Sequence, residues 1–237
     1  MNERKFYDLN ISFGENNKEI IKRAKNLGLS GICLVHKYSE SGAFLDYIGE
    51  ILDLRENSPI DIVSGVMLTG DNIEKKAKEL RRKVELILVY GGNYETNRLA
   101  CESDYVDLLC HPEKGRRDCG IDHVCVREAR AHNTLIELNF REILESPAGL
   151  RIKKLNLMKE VLRLCLKAKA PFIANSGAMD VWGMRGSREL SALSCSLGAQ
   201  LYPALVSNSE LPERLIGINR GKINQPLSGV YLEGDEL

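Results

Sequence analysis

The sequence predicts a single α/β domain folded as a (β/α) barrel. Short apolar runs alternate with helical patterns roughly seven or eight times, which favours a parallel sheet closed into a barrel. The 237 residues, 43% of them hydrophobic, are enough for one barrel or for two small domains. Polar motifs follow successive apolar runs, as expected where parallel strands end on the same face of a barrel. A doubly wound open sheet is the alternative.

The predicted strands are short apolar segments bounded by turn signals. They cover residues 6–11, 32–35, 61–68, 86–90, 105–110, 134–138 and 171–175. The predicted helices cover residues 17–27, 43–55, 71–83, 122–132, 153–169 and 187–197. Gly28 suits the end of the first helix, and Asp71 suits the N-cap of the third.

We expect one barrel domain spanning residues 1–237, with a core at about 5–200 and a mobile tail at 223–237. The pattern does not place the segment 199–222, in which 215–218 suits either a last strand or the end of a helix. Asp46, Glu50 and Asp53 should give the second helix an acidic outer face.

Composition limits the classes of function. Lys and Arg together number 33, as do Asp and Glu, so nucleic-acid binding requires an asymmetric basic face. The seven cysteines are an odd number without any CxxC pair, which favours a reducing compartment, by default the cytoplasm. No apolar run approaches transmembrane length, so we expect no membrane partner. Cys33, Cys110 and Cys125 lie in apolar runs and suit the core.

The stretch 109–124 carries the densest chemistry in the chain. Pro112 ends a strand, and Gly115 and Gly120 allow tight turns. Between these glycines, Arg116 and Arg117 offer planar donors that suit phosphate oxygens. A charged surface loop without a ligand is the alternative.

This stretch and several others resemble, in the same order, the family of archaeal ribonuclease P protein component 3, which is related to the thirty-kilodalton subunit of the nuclear enzyme. The resemblance runs to about Gly198, and the residues beyond match poorly. It is carried by Phe6-Tyr7-Asp8-Leu9-Asn10, Gly31 to Tyr38, Gly91-Gly92-Asn93, Asn97-Arg98, Lys114 to Asp118, Gly120 to His123, Asn175-Ser176-Gly177-Ala178, Trp182 and Arg185.

The resemblance implies a subunit of ribonuclease P, which removes the 5′ leader from precursor tRNA. In that family the RNA subunit carries the active centre, where Mg²⁺ is expected, so this chain should hold no catalytic residue and no cofactor. The implied partners are ribonuclease P RNA, a Pop-five type protein and, through the complex, precursor tRNA.

We expect the RNA or partner contacts at the C-terminal ends of the strands, together with the basic segments 75–83 and 153–169. For each basic segment, a solvated helix face without a ligand is an equal alternative. For Arg116 we favour such a contact, whereas Arg117 is divided evenly between a contact and an internal role holding Asp118 or Asp122. The candidates are Lys114, Arg116, Arg117, Arg98, Arg141, His36, Lys37, Asn175, Ser176 and Arg185.

The barrel also resembles the polymerase and histidinol phosphatase type of metal-dependent phosphoesterase, whose first strand carries Asp-Leu-His-x-His-Ser. Here Asn10 and Ser12 stand in place of the two histidines, and both are weak metal ligands. His36 and His111 are the only histidine pair of interest. A phosphoesterase with unorthodox ligands is therefore one alternative function, and an enzyme binding a small phosphorylated substrate at its Gly-rich strand ends is another.

Overall fold

The computed structural model describes residues 4–39 and 43–224, and every structural statement below concerns those two ranges. Seven parallel strands form one sheet in chain order, and the sheet curls into a nearly closed barrel. The barrel prediction is therefore confirmed, and the open-sheet alternative is wrong. The strands are β1 (Tyr7–Ser12), β2 (Gly31–Lys37), β3 (Asp61–Leu68), β4 (Leu86–Tyr90), β5 (Leu108–Cys110), β6 (Leu135–Asn139) and β7 (Phe172–Asn175).

Helices connect the strands and cover the outside of the barrel. None of those in the described ranges is long and apolar enough to cross a membrane. They are α1 (Asn17–Asn26), α2 (Ala43–Glu56), α3 (Ile73–Leu80), α4 (Tyr94–Glu102), α5 (His123–His132), α6 (Phe140–Leu144), α7 (Ala148–Ala168), α8 (Ser187–Ser196), α9 (Leu201–Ser207) and α10 (Glu210–Asn224).

Alternation along the strands divides the core into two layers. On β4, Leu86 and Leu88 belong to the small cluster inside the barrel, whereas Ile87 and Val89 pack beneath the helices. The same period of two residues holds on β2, where Cys33 and Val35 point inward. The predicted burial of Cys33, Cys110 and Cys125 is confirmed.

Side chains close the seam between β7 and β1, which are not paired by a strand ladder. The Asn175 Oδ1 atom accepts a hydrogen bond from the Leu9 backbone N–H at 2.9 Å. The buried Asn208 amide donates to the Ala174 carbonyl oxygen at 2.6 Å. These amides satisfy backbone groups that an eighth strand would otherwise pair.

Helix α10 covers the N-terminal end of the barrel, so the segment 215–218 is helical and not a strand. Ile216 packs among the apolar side chains of the barrel interior. Asn219 donates to the Glu85 carbonyl oxygen at 2.8 Å, and Arg220 pairs with both Glu85 and Asp61 at 2.7 Å. Of the tail predicted to be mobile, residues 225–237 lie outside the described ranges.

Several predicted boundaries differ from the structure. The Asp71 cap is wrong, because α3 begins after Asn72, whose φ of +58° is left-handed and whose side chain makes no cap hydrogen bond. Helix α7 begins at Ala148, directly after Pro147, five residues before the predicted start at position 153. Strand β5 is limited to Leu108–Cys110. The outward direction of the acidic residues on α2 is confirmed.

Candidate nucleic-acid interface

The C-terminal ends of the strands surround a pocket of about 350 Å³, which we call the mouth pocket. Residues from all seven strand ends line this pocket, and of the polar motifs predicted to converge, Lys37 and Arg141 are among them. Its polar lining includes Asn10, Ser12, Lys37, Tyr90, His111 and Arg141.

A buried carboxylate lies at the base of the mouth, held by three asparagine amides. Glu137 accepts hydrogen bonds from Asn10 at 2.8 Å and from Asn175 at 2.9 Å through one oxygen. Its other oxygen accepts from Asn139 at 3.1 Å. All four side chains are buried, so the amides replace the water that an exposed carboxylate would have. Asn175, a predicted RNA or partner contact, therefore has a structural role in holding Glu137.

Asp8 is a second buried carboxylate, at the seam between β1 and β7. Its oxygens accept hydrogen bonds from the Ser176 backbone N–H at 3.2 and 3.3 Å. Burial raises the pKa of Asp8 to about 7, and the hydrogen bonds from Ser176 oppose this rise only partly. Ser176 itself is fully buried, and its hydroxyl accepts from the Ala178 N–H, so it supports the turn.

A cluster of three basic groups surrounds Glu142 beside the pocket. Lys114 and Lys154 lie 2.5 and 2.8 Å from its carboxylate oxygens, and the buried His111 ring lies 3.3 Å away. Burial alone would raise the pKa of Glu142, but the neighbouring His111 ring and the hydrogen bonds from Lys114 and Lys154 hold it well below its usual range. Lys114, a predicted RNA contact, is thus anchored to the barrel by Glu142.

Asn97 fixes the loop between β5 and α5, although the sequence singled it out only through the family resemblance. Its buried amide donates to the Pro112 carbonyl at 2.9 Å and to the Gly120 carbonyl at 2.7 Å, while its oxygen accepts from the Gly92 N–H at 3.1 Å. Gly120 has a φ of +78°, and a Cβ there would collide with the Pro112 carbonyl oxygen. The loop is therefore rigidly tied to two neighbouring strand ends.

Arg116 and Arg117 have different surroundings on this loop. Arg116 forms two hydrogen bonds with Asp118, at 2.6 and 3.0 Å. Arg117 is exposed and forms no hydrogen bond or ion pair within the described parts of the chain. Asp118, one of the two internal partners predicted for Arg117, is thus bound by Arg116 instead. Asp122, the other, caps α5 and accepts a hydrogen bond from the Tyr94 hydroxyl. An RNA contact by either arginine stays a prediction.

The remaining candidates lie in different places. Lys37 is exposed at the mouth, and Arg98 pairs with Glu102 along α4 at 2.7 Å. The Arg185 guanidinium lies 5.1 Å from the centre of the Phe140 ring.

His36 does not join the mouth, contrary to the predicted convergence, because strand alternation turns it toward the helices. There its ring stacks on Tyr47 at 5.0 Å between centroids, and burial lowers its pKa. His36 and His111 therefore do not form a pair. Within residues 4–39 and 43–224, no group of three or more His, Cys, Asp or Glu side chains is arranged to hold a metal ion.

The fold and site define a seven-stranded (β/α) barrel whose mouth combines a buried, hydrogen-bonded polar base with exposed cations at its rim. The family model described as ribonuclease P subunit p30 matches residues 5–224, and the chain belongs to this family.

Individual relatives agree with this assignment. Ribonuclease P protein component 3 of Methanococcoides burtonii is 31% identical, over 98% of this chain and 95% of that protein. The protein of the same name from Methanothermobacter thermautotrophicus is 30% identical, over 90% of this chain and 89% of that protein. A chain in a cryo-EM structure of archaeal ribonuclease P with mature tRNA superposes with a TM-score of 0.80 at 28% identity, covering 97% of this chain and 99% of that one.

Proposed function

We propose that this chain is a protein subunit of ribonuclease P and that it supports a catalytic RNA through cations at the rim of the barrel mouth. Family membership supports the first part of the proposal. The observation that carries the second part is Arg117, an exposed arginine without a partner among the described residues, on a loop that Asn97 holds rigidly. Because the backbone of the loop is already held, binding a phosphate requires ordering of the Arg117 side chain but not of the loop.

The polar base of the mouth suits structural support better than catalysis. Asn10, at the position of a metal-binding histidine in the phosphoesterases, donates its amide to Glu137. Glu137 in turn accepts from Asn139 and Asn175, so its oxygens are already engaged. These residues do not fit a metal site, and no observation favours the alternative phosphoesterase. We place the active centre, and the Mg²⁺ it needs, in the RNA of the complex.

A cleavage assay tests the proposed function directly. The protein should increase processing of precursor tRNA by its cognate ribonuclease P RNA, and Arg117→Ala should weaken RNA binding without changing the melting temperature. Loss of one phosphate contact should also reduce the slope of log affinity against log salt by about one unit. Arg127→Ala on α5, an arginine whose side chain is 71% exposed, is the matched control.

Arg116→Ala separates a contact from a structural role. Because Arg116 pairs with Asp118, Arg116→Ala should lower the melting temperature of the protein. The slope of log affinity against log salt for RNA binding should change less than it does in Arg117→Ala. If Arg117→Ala and Arg127→Ala bind RNA with equal affinity and equal salt slopes, the arginine loop is not an RNA contact. If the protein leaves cleavage unchanged under all salt conditions, the function itself is wrong.

The further partner we propose is a Pop-five type protein, with the assembly located in the cytoplasm. The resemblance supports this pairing, and a chain with equal numbers of basic and acidic residues suits a protein contact on part of its surface. An equimolar mixture should elute as one complex in size-exclusion chromatography. Elution as two separate species would count against the pairing.

A further inference from the structure

The mouth pocket contains an arginine without a hydrogen-bonding partner. Arg141 lines the pocket, and its guanidinium makes no hydrogen bond to any described residue. The nearest carboxylate oxygen, on Glu145, lies 4.0 Å from the Arg141 Nε atom, beyond hydrogen-bond distance. That Nε atom is buried. The terminal N–H groups of the same guanidinium are not buried, and no described residue accepts a hydrogen bond from them, so they can donate to a ligand in the pocket that accepts hydrogen bonds.

The rest of the pocket also favours an anion. Lys37 contributes a second cation, and the hydroxyls of Ser12, Thr69 and Tyr90 can donate to oxygen atoms. Glu137 places a carboxylate beneath the pocket, and the dipoles of the three amides that donate to it partly compensate its charge. The exposed Met179 adds an apolar surface to the same pocket.

We infer that the mouth pocket binds the phosphate group of a single unpaired nucleotide, with Arg141 as the planar donor and Lys37 as the second positive charge. The volume of about 350 Å³ lies in the range of small-ligand sites and is too small for a duplex. Arginine suits phosphate because its parallel N–H groups match two oxygens, and Met179 offers the base an apolar contact. The nucleotide comes from RNA if the proposed function holds, or from a free nucleotide, and the chemistry of the pocket is the same.

Isothermal titration of the purified full-length protein with adenosine 5′-monophosphate tests the inference. We expect saturable binding that inorganic phosphate displaces, and we expect no binding of adenosine, which lacks the phosphate. Arg141→Ala and Lys37→Ala should each weaken binding about tenfold, because each removes a charge-assisted contact. Arg141→Lys keeps the charge but loses the paired donors, so its affinity should fall between that of the unmodified protein and that of Arg141→Ala. Arg127→Ala should bind as the unmodified protein does.

Competition with a short single-stranded RNA identifies the source of the phosphate. If the RNA displaces the nucleotide, the pocket serves RNA; if only free nucleotides compete, the pocket serves a small molecule. Absence of saturable nucleotide binding at millimolar concentration, or equal binding by the unmodified protein and a folded Arg141→Ala variant, would overturn the inference. Stimulated tRNA processing without nucleotide binding would refute the pocket alone, whereas nucleotide binding without stimulated processing would refute the proposed function alone.

Discussion

Asp8→Asn should stabilise the barrel at neutral pH but not in mild acid. Burial raises the pKa of Asp8 from its usual 3.8 to about 7. The unfolded chain therefore loses this proton near pH 3.8, while the folded chain keeps it until about pH 7. Between those values the folded state binds more protons, so the contribution of Asp8 to stability falls as the pH rises through this window.

The size of the effect follows from the pKa difference. Each pKa unit corresponds to about 1.4 kcal/mol, so a charged Asp8 costs up to about 4 kcal/mol relative to an exposed carboxylate. Asparagine keeps one oxygen that can accept from the Ser176 N–H, although without a charge that bond is weaker by about 1 kcal/mol. That loss is the same at every pH, so it does not affect the comparison between two pH values. Between pH 5 and pH 8 the unmodified protein loses stability over about two pKa units, from 5 to 7, and Asp8→Asn does not, so we expect the variant to gain about 2 to 3 kcal/mol at pH 8 relative to pH 5.

Urea unfolding at pH 5 and pH 8, at constant ionic strength, measures this difference. Glu142 also contributes to pH dependence: its lowered pKa stabilises the fold above the usual titration range of a glutamate, and this stabilisation is lost in acid. The contribution is the same in Asp8→Asn and in the unmodified protein, so it cancels in the comparison. Asp46→Asn, on the exposed face of α2, controls for the loss of one formal charge. A free-energy difference between Asp8→Asn and the unmodified protein that is the same at both pH values would refute the reasoning.

Three other substitutions test the scaffold. Asn97→Ala should cost about 2 to 4 kcal/mol in urea unfolding, because it leaves the backbone groups that it pairs in the loop without partners. Arg81→Ala should cost about 3 to 5 kcal/mol, because it leaves the buried Asp107 carboxylate without a countercharge, whereas the control Arg98→Ala on the exposed surface should leave the urea midpoint unchanged. Gly120→Ala should make the loop susceptible to limited proteolysis, since its φ of +78° and the nearby Pro112 carbonyl exclude a side chain; unchanged proteolysis would contradict this.

The sequence was most informative where apolar pattern alone determines structure. The bounds predicted for β3 and β4 agree with the observed Asp61–Leu68 and Leu86–Tyr90, because these runs are apolar, short and bounded by polar residues. Helix α4 was missed since its buried side includes Asn97, Ala100 and Cys101, which give no strong apolar stripe. Helix α10 was not assigned because polar residues, among them Asn219 and Arg220, anchor much of it to the end of the barrel.

The location of the site could be predicted from the sequence, but the contacts of its individual side chains could not. Parallel topology was enough to predict that the strand ends meet, yet no periodicity distinguishes adjacent loop residues such as Arg116 and Arg117. Which of them pairs with Asp118 depends on the path of the loop that Asn97 determines. For His36 the signal was present in the sequence: if Cys33 and Val35 face the barrel interior, a period of two directs position 36 outward.

The equal numbers of basic and acidic residues are compatible with an RNA-binding face, because some carboxylates are buried in ion pairs while some cations are exposed and unpaired among the described residues. Carboxylates such as Glu142 and Asp107 are buried beside cations, so they cancel charge inside the protein and contribute little outside it. Arg117 and Lys37, by contrast, are exposed at the same end of the barrel. An RNA phosphate interacts mainly with charges within a Debye length, about 8 Å at physiological salt. The neutral composition therefore argues against uniform coating of the surface by RNA, and it is compatible with the localised, salt-sensitive contact that we propose at the mouth.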